Sequence, residues 1–313
     1  MYFTSFLYIQ HCKKDFIMIE IENSIIKIDV ENCTLCKACV NDCVAGLFYI
    51  EANTLKIVKD FEERCILCGH CVAICPVNVV GLKAYEEKFT REILKSEEYP
   101  NFQTFYNLVL NRRSIRQFKD KPVPKEILEK ILDLARFSPT GSNTENVYYT
   151  IIQDKEIVKK ISNYITTKVK RFVANLEDPK RREMMKAQTP KEEFELAIES
   201  LPRTKGILKN IEKGIDFWCW EGEIIYIHGN PAIGGVLTDS ALAAAHIILA
   251  AETLGLGTCS LGYLTFHTNR SDTIKELINL PKNHMVGYSL VIGYPNVKYK
   301  RIPSRKPSRA KWL

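Results

Sequence analysis

Apolar residues recur at helical spacing in the C-terminal two-thirds of the chain. Residues 102–110 show this pattern, and residues 125–135 show it again after the segment Lys121-Pro122-Val123-Pro124. The apolar run 148–152 predicts a strand, residues 236–254 predict a nearly uncharged helix rich in alanine, and residues 288–293 predict a last strand. Helices and strands in this order predict an α+β fold for residues 102–313.

The first 101 residues have a different pattern, which predicts three further segments. Residues 1–9 are apolar but too few to span a membrane, and they lack the flanking residues of a signal peptide. Met18 directly precedes Ile-Glu-Ile, so we expect residues 1–25 to be an extension whose true start is Met18. Residues 26–83 form the next domain, and the charged stretch 84–101 is a helix or linker. No other window is apolar enough to cross a bilayer, which predicts a cytoplasmic protein.

Eight of the eleven cysteines fall in two runs of identical spacing, C-x2-C-x2-C-x3-C. The first run is Cys33, Cys36, Cys39 and Cys43, and the second is Cys65, Cys68, Cys71 and Cys75. Three thiolates on one tight loop can bind three corners of a [4Fe–4S] cube, while the fourth cysteine is directed at another cube. The duplicated spacing therefore predicts two [4Fe–4S] clusters, on which so small a domain depends for its folding.

Disulfides and zinc are the alternatives for these cysteines. Cysteines this close on one loop would form strained disulfides, and nothing in the sequence marks a secreted protein. A zinc site uses two spaced pairs rather than two runs of four. The other cysteines, Cys12, Cys219 and Cys259, follow no ligand spacing, and we expect them to be buried apolar thiols.

The two runs resemble those of bacterial two-cluster ferredoxins, and the resemblance implies a crossed ligand set. Cluster I would take Cys33, Cys36, Cys39 and Cys75, and cluster II would take Cys65, Cys68, Cys71 and Cys43. The first run is followed by Val44 where that family usually has proline. This difference affects the turn after the ligand and not the ligand set.

The net charge of +7 is unevenly distributed. Residues 26–81 hold seven acidic and five basic side chains, whereas the segment after residue 297 holds seven basic side chains and no acid. The basic residues of this tail are Lys298, Lys300, Arg301, Arg305, Lys306, Arg309 and Lys311. Nucleic-acid binding is one use of such a segment, but no reader motif accompanies it. We expect a solvated face with one or two phosphate ligands, and no nucleic-acid or membrane partner.

Four short motifs occur in order along residues 102–313. They are Arg-Arg-Ser-x-Arg at 112–116, Ser-Pro-Thr-Gly-Ser-Asn at 138–143, Gly-Leu-Gly-x-x-x-Leu-Gly at 255–262, and Gly-Tyr-Pro at 293–295 before the basic tail. Guanidinium groups near a serine at a helix end can bind a phosphate through paired hydrogen bonds. Together the motifs resemble those of the FMN-dependent nitroreductase family, which implies an FMN-binding, mixed-sheet domain after the ferredoxin domain.

The resemblance also implies roles for particular residues in binding FMN. The phosphate, ribityl chain and pyrimidine edge would be bound by the first motif: Arg112, Arg113, Ser114 and Arg116. The ring system would lie beside Thr140, Gly141, Ser142 and Asn143, with the backbone of Leu261 and Gly262 near the reactive N5. Arg305 or Lys306 would return to the phosphate. Glu145-Asn146-Val147 stands where many members have Gln-Pro-Trp, which removes one expected polar contact.

Family members are homodimers with FMN at the interface, so residues 236–254 are predicted to be the central interface helix. An ordinary buried helix is the alternative. His246 on this helix is interpreted as a core histidine rather than a catalyst. Trp218, Trp220 and Tyr226 are either a wall on which a substrate stacks or part of the core, and the sequence does not separate the two.

The arrangement of the whole chain resembles ferredoxin–nitroreductase fusions of anaerobes. It implies an enzyme in which a low-potential donor such as ferredoxin reduces the clusters, the clusters reduce FMN, and FMN reduces a small electron-poor acceptor such as a nitroaromatic, quinone or enone. NAD(P)H is the alternative donor, although no Rossmann Gly-x-Gly-x-x-Gly segment is present. A redox-sensing or electron-transfer module serving a protein partner is the alternative function. Oxidative flavin fragmentation and reductive dehalogenation are further alternatives on the same fold.

Overall fold

The computed structural model describes residues 25–83 and 92–313. The chain divides into two compact units, residues 1–95 and 96–313, and the division falls within the predicted charged segment 84–101. The predicted start at Met18, Cys12, most of the predicted N-terminal extension, and residues 84–91 of the charged segment lie outside the described residues. The domain boundaries 26–83 and 102–313 stay predictions.

The first unit is built from two antiparallel strand pairs and three short helices. Strand β1 (Ile26–Ile28) pairs with β4 (Val80–Leu82), and β2 (Phe48–Glu51) pairs with β3 (Thr54–Ile57). The helices are α1 (Ala38–Asp42), α2 (Phe61–Arg64) and α3 (His70–Ala73). Its core is small and consists mainly of aliphatic side chains and Phe48 and Phe61, with several cysteines packed against it.

The second unit is built on a four-stranded sheet with the order β5-β6-β8-β7. These strands are β5 (Tyr148–Ile152), β6 (Glu223–Gly229), β7 (Gly257–Ser260) and β8 (Met285–Gly293), and every pair of neighbours is antiparallel. One parallel bridge, between Ser114 and Thr258, adds the only parallel contact seen in the described part of the sheet. Every residue of β6 is buried, so both faces of the sheet are covered.

Eight helices surround this sheet within the described residues. They are α4 (Phe102–Asn111), α5 (Lys125–Ala135), α6 (Lys155–Glu177), α7 (Pro179–Gln188), α8 (Lys191–Glu212), α9 (Val236–Thr253), α10 (Gly262–Asn269) and α11 (Asp272–Leu277). One apolar core joins α6, α8, α10 and α11 to the sheet, and a second joins α5 and α9 to it. The predicted α+β class is confirmed, with each predicted helix and strand found within a few residues of its expected position.

Helix α9 packs one face against the sheet and leaves the other face open. Ala243, Ala244, Ile247 and Ala251 are buried in the core with β6 and β8. The sequence pattern predicts no window apolar enough to cross a bilayer, but in the part of the chain that the structure describes, α9 has the length and apolar composition to do so. A core helix can have the same length and apolar composition, and α9 packs against the sheet as a core helix does.

Candidate cluster and flavin sites

The eight cysteines of the two runs line two separate cavities in the first unit. The first cavity is lined by Cys33, Cys36, Cys39 and Cys75, together with apolar side chains that include Ile50, Leu55 and Val77. Three of its cysteines come from the first run and one from the second. The structure thus brings together the four residues that the resemblance implies for cluster I.

The second cavity is lined by the complementary set, Cys43, Cys65, Cys68 and Cys71. Two cavities, each lined by four thiols, fit two cofactors of the same kind. Within residues 25–83 and 92–313, no three His, Cys, Asp or Glu side chains are arranged to hold a single metal ion. The four thiols that line each cavity match the number of ligands that one [4Fe–4S] cube takes.

The same unusual backbone conformation shapes both cysteine loops. The residue two positions after the first cysteine has a positive φ in each loop, 56° at Leu35 and 52° at Leu67. The residue four positions after it does so as well, with 65° at Lys37 and 75° at Gly69. Left-handed residues at alternate positions turn the chain tightly, and a short helix follows in each loop. This turn brings the three thiols of each loop to one cavity.

The fourth cysteine of each run is held by the backbone four residues later. The amide of Leu47 donates to Cys43 Sγ at 3.5 Å, and the amide of Val79 donates to Cys75 Sγ at 3.4 Å. An N–H directed at sulfur favours its thiolate form. Burial raises the pKa of the Cys71 thiol to about 11 and also raises the pKa of Cys39. Cluster assembly must therefore displace protons from these thiols.

The arginine motif lies between β7 and the start of the C-terminal tail. The amide of Ile115 donates to Thr258 O at 2.9 Å, and the amide of Asn296 donates to Gln117 O at 2.8 Å. A side chain at Gly257 would overlap Ile115, so this close approach requires glycine. Three of the four predicted motifs, those at 112–116, 255–262 and 293–295, thus meet at one edge of the sheet.

The side chains of the arginine motif differ in their surroundings. Ser114 and Arg116 are exposed, while Arg112 and Arg113 are half-buried. The Arg113 guanidinium donates to Leu110 O of α4 and so is directed back into the protein. The guanidinium carbon of Arg116 lies 5.8 Å from the ring centroid of Trp220. Arg112, Ser114 and Arg116 are therefore better placed to meet a ligand than Arg113 is.

The loop predicted to lie beside the flavin ring is bound to α9. Gly141–Asn143 forms one short 3-10 turn, and Ser142 and Asn143 have φ values of 51° and 52°. Inside the loop, the amide of Glu145 donates to Thr140 Oγ1 at 3.0 Å. The amide of Gly141 donates to Asp239 Oδ1 on α9 at 3.3 Å. We call residues 140–143 the flavin loop from here on.

The remaining predicted flavin contacts lie at the end of β7 and in the tail. The amide of Leu261 donates to Ser289 O at 2.8 Å, and Gly262 begins α10. Arg305 and Lys306 are exposed and lie in chain without helix or strand. The assignment of all these residues to FMN remains a prediction.

Two of the three aromatic residues left open by the sequence belong to the core. Trp218 and Tyr226 are 1% and 0% exposed, and their polar atoms bond to Thr166 and Thr268. Trp220 is only half-buried and faces Arg116. Among the three, Trp220 alone is placed to contact a ligand. His246 is half-buried, with Nδ1 at 2.8 Å from Leu242 O and 3.1 Å from Ser138 Oγ.

Sequence reasoning missed two groups of polar residues in the second unit. One is Asp239, which is 3% exposed although it carries a carboxyl group. The sequence feature that could have revealed Asp239 is an acidic residue in the first turn of a nearly uncharged helix. The other is the pair His228 and His284, whose Nδ1 atoms lie 2.8 Å apart. These histidines are 56 residues apart in the sequence, so no local pattern reveals them.

Comparison with known proteins identifies both units. The family model named Nitroreductase family matches residues 109–294, which is more than half of the chain. The chain belongs to the nitroreductase family. A model of a 4Fe-4S dicluster domain matches residues 10–80. The predicted oxidoreductase class and the predicted iron–sulfur domain are confirmed.

Individual relatives are distant. An FMN reductase [NAD(P)H] of Bacillus subtilis is 31% identical over 196 residues, which is 62% of this chain and 68% of the relative. An iodotyrosine deiodinase of Nematostella vectensis is 26% identical over 245 residues, 74% of this chain and 81% of the relative. A solved nitroreductase with bound FMN from Desulfitobacterium hafniense is 18% identical and covers 66% of this chain and 97% of its own, with a TM-score of 0.49.

Proposed function

We propose that the chain is an FMN-dependent oxidoreductase that takes electrons from a low-potential donor such as ferredoxin and reduces a small electron-poor acceptor. Nitroaromatics, quinones and enones are the acceptor classes. The observation that carries the proposal is the pair of four-cysteine cavities in a chain of the nitroreductase family. Clusters transfer single electrons, and FMN accepts one or two and delivers them as a hydride equivalent. We place the protein in the cytoplasm, where thiols stay reduced.

In this proposal the protein binds FMN with two groups of residues. Arg112, Ser114 and Arg116 lie beside β7 and bind the phosphate and ribityl end, because guanidinium groups pair with phosphate oxygens. The proposal puts the ring beside the flavin loop and the backbone of Leu261 and Gly262. The 31% identical relative named FMN reductase [NAD(P)H] supports the choice of flavin.

Cofactor content tests the proposal directly. Protein purified without oxygen should hold about eight iron atoms and one FMN per chain. Iron, sulfide and flavin are measured on the same sample. Stoichiometric zinc in place of iron and sulfide would contradict the cluster assignment, and absence of flavin would contradict the FMN assignment.

Arg112→Ala tests the phosphate site. Loss of a charged donor costs about 1.5–3 kcal/mol, so FMN affinity should fall roughly ten- to hundredfold while iron content stays unchanged. Arg182→Ala, on the exposed face of α7, is the matched control and should bind FMN as the parent does. Unchanged affinity in Arg112→Ala would show that this arginine is not a flavin ligand.

The route of electron entry is tested in the full chain with a cluster ligand removed. Cys36→Ala should abolish turnover driven by reduced ferredoxin, and FMN content should persist because Cys36 belongs to the other unit. Rates with ferredoxin, NADH and NADPH are compared in parent and variant. Equal NAD(P)H-driven rates in both proteins, with no ferredoxin-driven rate in either, would show that electrons do not enter through the clusters.

A further inference from the structure

Asp239 is a buried carboxylate with an incomplete set of partners. It lies in the first turn of α9 and is 3% exposed. Its Oδ1 accepts the Gly141 amide, but its Oδ2 is buried and has no hydrogen-bond partner. No ion pair to Asp239 is found among residues 25–83 and 92–313. The N-terminal end of a helix favours a negative charge, yet one oxygen of this carboxylate remains unpaired.

The surroundings of Asp239 are crowded. A Cβ at Gly234 would lie 3.2 Å from Thr144 Oγ1 and 4.0 Å from Asp239 Oδ2, so the chain before α9 passes close to both. Thr144 Oγ1 is also buried without a partner. A buried polar group without a partner costs free energy, so an unpaired carboxylate is a poor way to stabilise a fold. The contact that could explain a buried carboxylate at this position is its one side-chain hydrogen bond, to the flavin loop.

The flavin loop combines an unusual backbone conformation with a hydrogen bond to α9. Ser142 and Asn143 are consecutive non-glycine residues with positive φ, a sparsely populated conformation. A second contact, from Ser138 Oγ to His246, reaches the same helix two turns further on. Ser138 and His246 each have another local partner, Ala135 O and Leu242 O. Gly141 and Asp239 thus form the less replaceable of the two contacts.

We propose that Asp239 is a positioning residue for the flavin. Its Oδ1 fixes the Gly141 amide and so sets the place of the flavin loop beside the ring. The proposal rests on the proposed function, because the flavin loop has its role only if the chain binds FMN. It concerns a residue that is not itself a flavin contact.

Two substitutions of Asp239 in the full chain test this role. Asp239→Ala removes the acceptor, and we expect FMN affinity to fall roughly ten- to hundredfold, as for the loss of one hydrogen bond to a charged group. Asp239→Asn keeps an oxygen at the same distance, and its affinity should stay within about threefold of the parent. Ser240→Ala is the matched control, because Ser240 is equally buried and unpartnered but is packed near Gly287 rather than the loop.

Gly141→Pro removes the other side of the same hydrogen bond. Thr140 has φ −126° and ψ 152°, which suits a residue before proline, and a Cβ at Gly141 would meet nothing within 4 Å. If the hydrogen bond between Gly141 and Asp239 positions the flavin loop, Gly141→Pro should weaken FMN binding. Adding Asp239→Ala to Gly141→Pro should then cause little further loss of FMN affinity. Full additivity of the two losses would overturn the proposal.

Two further measurements separate positioning from general stability. The melting temperature of Asp239→Ala should not fall below that of Ser240→Ala by more than a few degrees, since an unpaired carboxylate is removed. Amide hydrogen exchange of residues 138–144, measured without FMN, should be faster in Asp239→Ala but not in Asp239→Asn. FMN binding and exchange like the parent's in Asp239→Ala, or an Asn variant that behaves like Ala, would overturn the proposal. A parent chain that binds no FMN would instead overturn the proposed function.

Discussion

At the scale of single residues, the two cysteine loops differ at one strained position. Lys37 has a φ of 65°, and the equivalent residue of the second loop is Gly69 with a φ of 75°. A side chain in the left-handed region costs about 1 kcal/mol or more, a cost that glycine avoids. The first loop thus keeps the same conformation as the second although its residue is less suited to it.

Exchanging these residue types should change how firmly each cluster is held. Lys37→Gly should slow the loss of clusters in guanidinium, and Gly69→Ala should speed it, each by up to about fivefold for roughly 1 kcal/mol. The rate is measured without oxygen from the loss of cluster absorbance. Each variant is the control for the other, and changes of the same sign in both would contradict the explanation.

The residues of the candidate sites differ in how well the sequence predicts them. The cysteines are predicted ligands whose spacing within one loop is set by the cube, so a local pattern reveals them, and the crossed pairing is implied by the resemblance to two-cluster ferredoxins. Asp239, His228 and His284 act through contacts between segments far apart in the sequence. No local pattern encodes such contacts, and only the folded sheet brings these side chains together.

At the scale of elements, His228 and His284 join the end of β6 to the start of β8. Their Nδ1 atoms lie 2.8 Å apart, and His228 Nε2 lies 3.0 Å from Thr150 Oγ1 on β5. The ring of Tyr148 covers His284, with centroids 4.7 Å apart. Burial, and then the nearby charge of His284, lowers the pKa of His228 to about 4. Protonation of His228 therefore destabilises the packing of these two strand ends.

Acid should weaken this unit over a defined range. The unfolded chain binds a proton to His228 below pH 6.5, whereas the folded chain does so only near pH 4, so the free energy of unfolding falls as pH drops from 6.5 to 4. The loss is about 3 kcal/mol or less. His228→Gln should flatten this dependence, and His246→Gln should keep it. All three tryptophans lie in residues 96–313, so their fluorescence in urea reports this unit. An unchanged slope in His228→Gln would exclude this histidine as the cause.

The elements themselves were predicted where their periodicity is strong. Residues 125–135 and 148–152 match α5 and β5, and residues 236–254 match α9 to within one residue. The strand β8 begins three residues earlier than predicted. Its first residues pair with the end of β6 after a shift in register between Ile227 and His228, an irregularity that an alternating pattern does not show.

At the scale of the whole molecule, the open face of α9 is the feature that the isolated chain leaves unexplained. Leu237 and Leu242 are 59% and 38% exposed, and Ala241 and Ala245 between and beyond them are exposed as well. Exposed apolar side chains along one helix face indicate an interface. We propose that this face pairs with a second copy of the chain, as the predicted homodimer requires.

A charge on this face should separate the two copies. Ala245→Glu places a carboxylate where the proposed interface excludes water, and an unpaired buried charge is strongly destabilising to an interface. Sedimentation should show a dimer for the parent and a monomer for the variant, and FMN should be bound more weakly if the flavin lies at the interface. Leu196→Glu is the matched control, because Leu196 on α8 is 63% exposed but lies on another helix, and it should stay dimeric. A dimeric Ala245→Glu variant, or a monomeric parent, would exclude the open face of α9 as the interface.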